Sequence, residues 1–322
     1  MRAGVSLSEQ IENQIPPETS QCLGCAYQGF ENWLNGFDRF NRRQERYQLV
    51  RCFSCSLVWL QNAPLPSEMG RHYGPNYDKL IIEAGEISPE RWEARRRTLA
   101  KFKSGGALLD LGCSSGAFLE TLKGRGWDLY GVEMSENAAR SAEVRSGAKV
   151  FIGDIMEAPF PKESFDAITS FDVLEHVYEP KKVMERVFQL LKPGGIFYVY
   201  IPNIDSGEAR LFRSYWYGLE LPRHLSHFSP NSLRKLGESV GFREGLIETV
   251  RSSSLEFSIH YINDDLLQMV GISRTPMAEA GPPNFAWKVV RKLLRWTVFS
   301  VIFHAASLLG PGESINAVFQ KA

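Results

Sequence analysis

The stretch LLDLGCSSGAFLE, residues 108–120, passes from an apolar run through a glycine turn into a helical pattern. Gly112 and Gly116 allow the backbone to approach a ligand closely, and a carboxylate, Asp110, stands at the end of the apolar run. In an open α/β sheet, ligands bind beyond the carboxyl ends of the strands. The stretch therefore predicts a strand, a ligand-binding loop and a helix.

Apolar runs and helical patterns alternate from this loop onward, which predicts an α/β protein with a parallel sheet covered by helices on both faces. Residues 255–309 interrupt the alternation before the last run and predict a helical insertion. Strands are expected at 107–112, 129–134, 149–154, 165–173, 196–202, 243–252 and 313–322, and helices at 89–103, 117–126, 180–191 and 230–240.

Carboxylates also end the second and third apolar runs. Glu133 lies 21 residues after Gly112, a spacing typical of a carboxylate that binds ribose hydroxyls. Asp154 can accept a hydrogen bond from an adenine amino group. A dinucleotide loop would have glycine in place of Ser114 and no bulky residue after Gly116. The pattern therefore favours S-adenosylmethionine, which carries a sulfonium and an ammonium group, over a dinucleotide.

The chain resembles the class I, Rossmann-like S-adenosylmethionine-dependent methyltransferases over residues 89–254 and 310–322. The resemblance rests on the loop above and on YGVEMSENA, GDIMEAPF, FDAITSFDVLEHVYEP and LLKPGGIFYVYIPN. It implies a seven-stranded sheet, with Ser114 in place of a glycine that is common in the family. The cofactor contacts that it implies are Asp110, Gly112, Cys113, Ser114, Gly116, Glu133, Met134, Asp154, Ile155, Phe171 and Asp172.

Two further segments resemble a subgroup that methylates small molecules and sugars. One is ELPRHLSHFSPNSLRKLGESVGF at 220–242, and the other is the cysteine-containing segment before the sheet. This resemblance implies a substrate from a cell-surface glycan or secondary-metabolite pathway and does not name it.

Four of the five cysteines form two CxxC pairs, CLGC and CFSC. Paired knuckles of this kind are typical of a tetrahedral four-thiolate Zn²⁺ site, which has no open position for water and is structural. A unit as short as residues 21–62 needs such a metal to fold. The expected order is a leader at 1–20, the zinc ribbon at 21–62 with ligands Cys22, Cys25, Cys52 and Cys55, a connector at 63–88 and the methyltransferase domain at 89–322.

The charge balance argues against a protein that coats nucleic acid, because Lys and Arg number 37 and Asp and Glu also number 37. Several arginines nevertheless lie between the two CxxC pairs. They indicate either a patch for phosphate or RNA or, as we favour, the solvated face of a hairpin. No signal peptide is evident at the first residues, so a cytoplasmic location is expected. The arginines are Arg39, Arg42, Arg43, Arg46 and Arg51.

Histidines after the fifth strand are the first candidates for a general base, because imidazole suits proton removal from a hydroxyl at neutral pH. His224 and His227 lie three residues apart and would both face the pocket if their segment formed one helical turn. Glu175 and His176, after the fourth strand, are the next candidates. Tyr217 and Arg223 are candidates for binding an acidic or sugar substrate.

The segment AWKVVRKLLRWTVFSVIFHAASLLG at 286–310 carries basic residues at helical spacing and then an apolar run. The run is too short to cross a bilayer of about 30 Å. Three interpretations of 286–309 stay open: a cap over this chain's own sheet, a homodimer face, or an interfacial helix on the inner face of the membrane.

The leading hypothesis is therefore an enzyme that methylates a hydroxyl or another nucleophile of a small molecule or a sugar-linked substrate. One alternative is an RNA methyltransferase whose zinc ribbon grips RNA, against which the zero net charge counts. Another is a non-catalytic protein that binds S-adenosylmethionine and mediates assembly.

Overall fold

The computed structural model describes residues 20–73, 89–251, 255–269 and 298–322. The leader up to residue 19, the second half of the connector and the basic part of the late insertion, 286–297, lie outside the described residues.

The main sheet has seven strands in the order β10-β11-β8-β7-β4-β5-β6. Strands β8, β7, β4, β5 and β6 pair in parallel, whereas β11 pairs antiparallel with both β8 and β10. The expected seven-stranded, Rossmann-like α/β fold is confirmed, with a mixed sheet. The strands are β4 (Gly106–Leu111), β5 (Trp127–Glu133), β6 (Lys149–Ile152), β7 (Phe165–Phe171), β8 (Leu191–Pro202), β10 (Phe242–Val250) and β11 (Ser314–Lys321).

The central strands are buried on both faces because helices cover each side of the sheet. Leu108 and Ile168 are fully buried, and β8 is almost continuously buried from Gly195 to Ile201. The helices of the sheet region are α2 (Pro89–Ala100), α3 (Ala117–Glu120), α4 (Glu136–Ser146), α5 (Pro180–Leu190), α6 (Gly207–Phe212) and α7 (Pro230–Val240), and a short α1 (Pro66–Met69) precedes them.

The helix after the glycine loop is shorter than the expected 117–126. Helix α3 ends at Glu120, where the Thr121 hydroxyl donates to the carbonyl of Phe118. Gly124 and Gly126 then adopt φ of +71° and +78°, which a right-handed helix does not allow. The remaining residues therefore form turns that lead directly into β5.

A second, four-stranded sheet contains the cysteine segment, in the order β1-β2-β3-β9. Its fourth strand comes from the methyltransferase part: Val58 pairs with His227, and the amide of Leu60 donates to Leu225 at 2.9 Å. The cysteine segment and the segment after β8 therefore share one sheet. Its strands are β1 (Phe30–Asp38), β2 (Arg43–Cys52), β3 (Val58–Leu60) and β9 (Ser226–His227).

The late insertion contributes two described helices, α8 (Leu255–Met269) and α9 (Val298–Leu309). Helix α9 packs against α6 of the same chain: Ala306 is buried, and Arg210 donates to the carbonyl of Leu309 at 2.9 Å. This packing agrees with the cap interpretation for 298–309. Among the described helices, none combines the length and apolar character that a membrane crossing requires.

Candidate functional site

The loop after β4 is shaped by two glycines that no other residue could replace without strain. Gly112 has φ of +65°, and a Cβ there would lie 2.5 Å from Val173. Gly116 has φ of +78°, and a Cβ there would lie 2.8 Å from the backbone of Ala142. Ser114 also has positive φ, +47°, so this residue holds a left-handed conformation that glycine adopts more easily.

The polar atoms of this loop point to a ligand. The hydroxyls of Ser114 and Ser115 are buried and have no hydrogen-bond partner among the described residues. Buried polar groups are almost always hydrogen-bonded in a protein with its ligands bound. The loop therefore fits a polar group such as the amino-acid part of S-adenosylmethionine. The thiol of Cys113 is buried and packs against Gly131.

Glu133 ends β5 beside this loop. Its carboxylate accepts hydrogen bonds at 2.9 Å from the backbone amides of Ser114 and Ser135, one on each oxygen. Each oxygen keeps a second lone pair, so the carboxylate can also accept from ribose hydroxyls. Met134 next to it is 71% exposed, which offers an apolar surface to a planar base.

Asp110 is buried at the end of β4, where it accepts a hydrogen bond from Thr169 at 2.6 Å. Burial raises the pKa of Asp110 to about 7, and the Thr169 hydroxyl opposes this only in part. A cationic ligand would favour the ionised form. The end of β6 is more open: Asp154 is exposed and accepts from the amide of Met156 at 2.7 Å, while Ile155 is buried.

Phe171 and Asp172 end β7 and meet helix α2. Asp172 pairs with Arg91 at 2.6 Å and with Arg95 at 3.3 Å. Arg95 lies 4.4 Å from the ring centre of Phe171 and is only 3% exposed. Two of its nitrogens, Nε and Nη1, are buried with no hydrogen-bond partner among the described residues. Arg95 therefore offers a charged donor beside the loop.

Sequence reasoning missed Arg91 and Arg95. The signal was the arginine-rich helix PERWEARRRTLAKFK, which precedes the first strand of the main sheet. The helical pattern does not show which of these arginines face the sheet, and packing turns two of them toward Asp172.

Glu175, His176 and His224 form a polar cluster next to this loop. One ligand-type atom of each lies within 4.8 Å of the others. The rings of His176 and His224 are 4.5 Å apart, and the backbone amide of Leu225 donates to the Glu175 carbonyl at 2.8 Å. The amide of His176 donates to Val173, which in turn contacts Gly112. The cluster thus lies at the carboxyl end of β7.

Burial controls the charges of the cluster. It raises the pKa of Glu175 to about 8 and, together with the charge of His224, lowers the pKa of His176 to about 3. His224 behaves differently: although burial lowers its pKa, the carboxylate of Glu220 raises it above 6.5 overall. Glu220 lies 3.2 Å from His224 Nε2 and was not identified from the sequence.

The segment around His224 and His227 is not a helical turn. His227 belongs to β9, and its Nε2 lies 3.0 Å from the carbonyl oxygen of Leu219. Burial lowers the pKa of His227 to about 3. The two rings remain neighbours, with centres 6.1 Å apart.

Tyr217 and Arg223 are both buried near the cluster. Arg223 is fully buried, pairs with Glu220 at 3.0 Å and donates to the carbonyl of His72 at 2.9 Å. Tyr217 stacks on Phe257 of α8, with ring centres 4.7 Å apart. In this structure both side chains hold the segment that carries His224.

The four cysteines of the two CxxC pairs come together at one point. The sulfur atoms of Cys22 and Cys55 are 3.4 Å apart, and those of Cys25 and Cys52 are 3.6 Å apart. All four lie within 4.8 Å of one another. A tetrahedron with Zn–S bonds of about 2.3 Å has sulfur separations of about 3.8 Å, so the arrangement has the dimensions of a zinc site.

The arginines between the CxxC pairs are mostly ion-paired. Arg39 pairs with Asp265, and Arg42 with Asp264, both at 2.6 Å. Arg51 pairs with Asp205 at 2.7 Å. These pairs join the cysteine segment to α8 and to the region before α6.

The chain is similar in sequence to known methyltransferases. The family model described as a methyltransferase domain matches residues 85–244. An uncharacterized protein of Methanocaldococcus jannaschii is 28% identical over 171 residues, which is 53% of this chain and 79% of that protein. The ubiquinone biosynthesis O-methyltransferase of Pseudomonas putida is 33% identical over 118 residues, 34% of this chain. The chain spans about half of that enzyme's length, 49%.

Among solved structures, an S-adenosylmethionine-dependent methyltransferase from Archaeoglobus fulgidus matches with a TM-score of 0.51 and 20% identity. The match covers 76% of this chain and all of that one. It supports the fold of the main sheet.

Proposed function

We propose that the chain is a class I S-adenosylmethionine-dependent methyltransferase and that it methylates a hydroxyl of a small molecule, a sugar or a sugar-linked precursor. The observation that carries this proposal is the cluster of Glu175, His176 and His224 at the carboxyl end of β7, in which Glu175 and His224 are buried and His176 is partly buried. Such a cluster suits a compact acceptor that enters the protein.

The residues around the loop fit S-adenosylmethionine, which supplies a methyl group already activated on sulfur. The loop amides and Asp110 would hold the methionine part, and Arg95 its carboxylate. Glu133 would bind the ribose through its remaining lone pairs. Met134, Asp154 and Ile155 would line the adenine. Phe171 and Asp172 would close the back of the site.

The protein's part in the transfer is to position the acceptor and remove its proton. His224 is the first candidate for this task, because it belongs to the cluster and, although burial lowers its pKa, the carboxylate of Glu220 raises it above 6.5 overall, which makes the ring more basic near neutral pH. His227 is more deeply engaged in β9 and is the weaker candidate.

A small acceptor is favoured over RNA by the paired arginines. Arg39, Arg42 and Arg51 each contact an aspartate of the same chain. Phosphate binding would have to displace those aspartates, which a dedicated RNA surface does not require. The acidic residues at the strand ends and the polar cluster likewise favour an enzyme over a non-catalytic assembly protein.

We propose that the four cysteines hold one structural Zn²⁺. Backbone amides of Gly24 and Ser54 donate to the sulfurs of Cys22 and Cys52 at 3.4 and 3.3 Å, as expected of knuckles that stabilise thiolates. Four thiolates complete the coordination sphere, so this metal would not bind substrate.

The proposal is tested by methyl transfer from labelled S-adenosylmethionine to lysate fractions that contain RNA, lipid or small molecules. Label is expected in the small-molecule fraction with the native enzyme and to be lost with His224→Ala. Label in RNA alone would contradict the choice of substrate. Binding of S-adenosylmethionine without transfer to any fraction would favour the assembly protein.

A further inference from the structure

We propose that Glu175, His176 and His224 bind a divalent transition-metal ion, separate from the cysteine site, that holds the acceptor hydroxyl. The ligand set stands on the geometry of these residues alone. The part that concerns the acceptor rests on the proposed function.

Two imidazoles and one carboxylate converge at this place. One ligand atom of each residue lies within 4.8 Å of the other two. Ligands bonded to one ion at about 2.0–2.2 Å lie about 3–4 Å from one another, so an ion would draw the three atoms together by at most about 1–2 Å. The three residues come from two segments, the turn after β7 and the segment before β9. The backbone bond from Leu225 to the carbonyl of Glu175 holds the segments together.

The carboxylate is the second observation that points to a cation. Glu175 is 1% exposed, and neither of its oxygens has a hydrogen-bond partner among the described residues. A buried carboxylate without partners is costly, and a cation or a proton must satisfy it. The other nearby carboxylate, Glu220, is already paired with Arg223 at 3.0 Å and with His224 at 3.2 Å.

The histidines are oriented as metal ligands usually are. His176 Nδ1 lies 3.1 Å from the carbonyl oxygen of Arg223, and His224 Nδ1 lies 2.9 Å from that of Gly218. A carbonyl oxygen only accepts, so each Nδ1 carries a proton that it donates. Nε2 is then the ring atom that remains for an ion in both histidines, and a backbone carbonyl fixes each ring from behind. His224 Nε2 lies 3.2 Å from a carboxylate oxygen of Glu220, so an ion there would take the place of the proton that joins the two side chains.

The donor set selects the kind of ion. Imidazole nitrogen and carboxylate oxygen suit ions such as Zn²⁺, Mn²⁺ or Co²⁺, whereas Mg²⁺ and Ca²⁺ prefer oxygen alone. Three protein ligands leave at least one coordination position open, as in catalytic rather than structural sites. His176 is only partly buried, so the cluster is not fully enclosed.

A hydroxyl in that position would lose its proton more easily, because the ion stabilises the alkoxide. The proton passes to water, and the oxygen forms a bond to the methyl carbon while the carbon–sulfur bond breaks. The electron pair of that bond stays on sulfur, which becomes the neutral thioether of S-adenosylhomocysteine. In this arrangement the ion takes over the proton-removing role that the proposed function gives to His224, and His224 acts as a ligand of the ion.

Cobalt titration tests the site. Protein with zinc already in the cysteine site is titrated with Co²⁺ while its absorption spectrum is recorded. One equivalent is expected to bind with the visible bands of nitrogen and oxygen ligands and without the near-ultraviolet band of thiolate ligands. Replacing a residue that only hydrogen-bonds to a metal ligand lowers metal affinity by about 10–100-fold. Glu175→Gln and His176→Asn remove the ligands themselves, so each should weaken Co²⁺ binding by ~100-fold or more.

Glu208→Gln is the matched control. Glu208 is another buried glutamate whose pKa burial raises to about 8, and it lies in α6. The control variant should bind Co²⁺ like the native protein. Circular dichroism and S-adenosylmethionine titration establish that each variant is folded. A native protein that takes up no such equivalent, or unchanged binding in both cluster variants, would overturn the proposal.

The two proposals fail separately. If methyl transfer to small molecules proceeds in protein that binds no Co²⁺ at the cluster, the cation proposal alone is wrong. If Co²⁺ binds as expected and no small molecule is methylated, the proposed function is wrong and the metal site stands.

Discussion

The carboxylate of Glu133, at the end of β5, accepts a hydrogen bond at 2.9 Å from the backbone amide of Ser114, which lies in the turn that joins β4 to α3. The residue expected to bind the ribose therefore also holds the loop expected to bind the methionine part. Its other oxygen accepts from Ser135, which caps α4. One side chain thus connects two parts of the candidate cofactor site.

Glu133→Ala should weaken binding of S-adenosylmethionine by about 1–3 kcal/mol, because a charged hydrogen-bond partner is lost. Calorimetric titration measures the change. Glu136→Ala is the control, since Glu136 is exposed in α4 and pairs only with Arg140 in the next turn. Unchanged affinity in Glu133→Ala would remove Glu133 from the site.

Asp110 should make stability depend on pH. Its pKa is raised by burial to about 7, so between pH 4 and pH 7 the folded state holds a proton that the unfolded state has lost. The contribution of Asp110 to the free energy of unfolding is therefore fully present at low pH and is lost as the pH rises toward 7. Near pH 4 the free energy of unfolding of Asp110→Asn should be similar to that of the native protein. Above pH 7 it should be higher by about 4 kcal/mol, since the pKa of Asp110 is shifted by ~3 units.

Urea unfolding of both proteins at the two pH values measures this difference. Asp154→Asn, at an exposed strand end, is the control. If native protein and Asp110→Asn differ in free energy of unfolding by the same amount at both pH values, Asp110 ionises as freely as it does in an unfolded chain. Asp110→Asn should also bind S-adenosylmethionine more weakly, because the ligand's positive charge loses its partner.

Removal of zinc should lower turnover more than cofactor affinity. The cysteine segment and β9 share a sheet through the pairing of Val58 with His227, whereas the glycine loop lies in the other sheet. Because the binding energy of a structural metal is largely local folding energy, Cys25→Ser should loosen β3 and then β9. Elemental analysis measures the zinc content, calorimetry the affinity for S-adenosylmethionine, and a methyl-transfer assay the turnover.

Native protein should contain one zinc bound by cysteine, and Cys113→Ala should retain it, since Cys113 packs against Gly131 in the other sheet. Full turnover after complete loss of zinc would show that the two sheets act independently. Loss of cofactor affinity in parallel with turnover would show that the metal supports the whole chain.

His224→Ala should lower turnover by about 10²–10⁴-fold and leave cofactor affinity nearly unchanged, because a positioned proton-transfer or ligand group is lost outside the cofactor contacts. His227→Ala should have the smaller effect on turnover, since His227 is held in β9 by the Leu219 carbonyl. Single-turnover kinetics separates chemistry from binding. A larger effect of His227→Ala would reverse the assignment, and equal loss of cofactor binding in His224→Ala would make it a brace of the pocket.

The strand pattern was predictable because fully buried strands must be continuously apolar and helices on a sheet must be amphipathic. The apolar runs around Leu108, Ile168 and Val199, which are buried in the structure, were sufficient by themselves to predict their strands. The glycine loop was predictable for a similar reason, since only glycine tolerates the φ of Gly112 and its contact with Val173. The two CxxC pairs likewise predicted the convergence of four sulfurs.

Local signals could not predict where the histidines would lie. His224 and His227 looked like neighbours on a helical turn, but β9 pairs with the distant β3 and draws His227 into its sheet. Arg39 looked solvated, yet it meets Asp265 across 226 residues of sequence.

The sequence by itself thus determined the α/β fold, the cofactor loop and the cysteine site, because backbone conformation, apolar periodicity and short ligand spacings are local properties of the chain. Only the tertiary structure brought Glu175 and His176 against His224 and turned Arg95 toward Asp172. Those contacts depend on which segments pack together, and their energies come from burial and pairing between residues far apart in sequence.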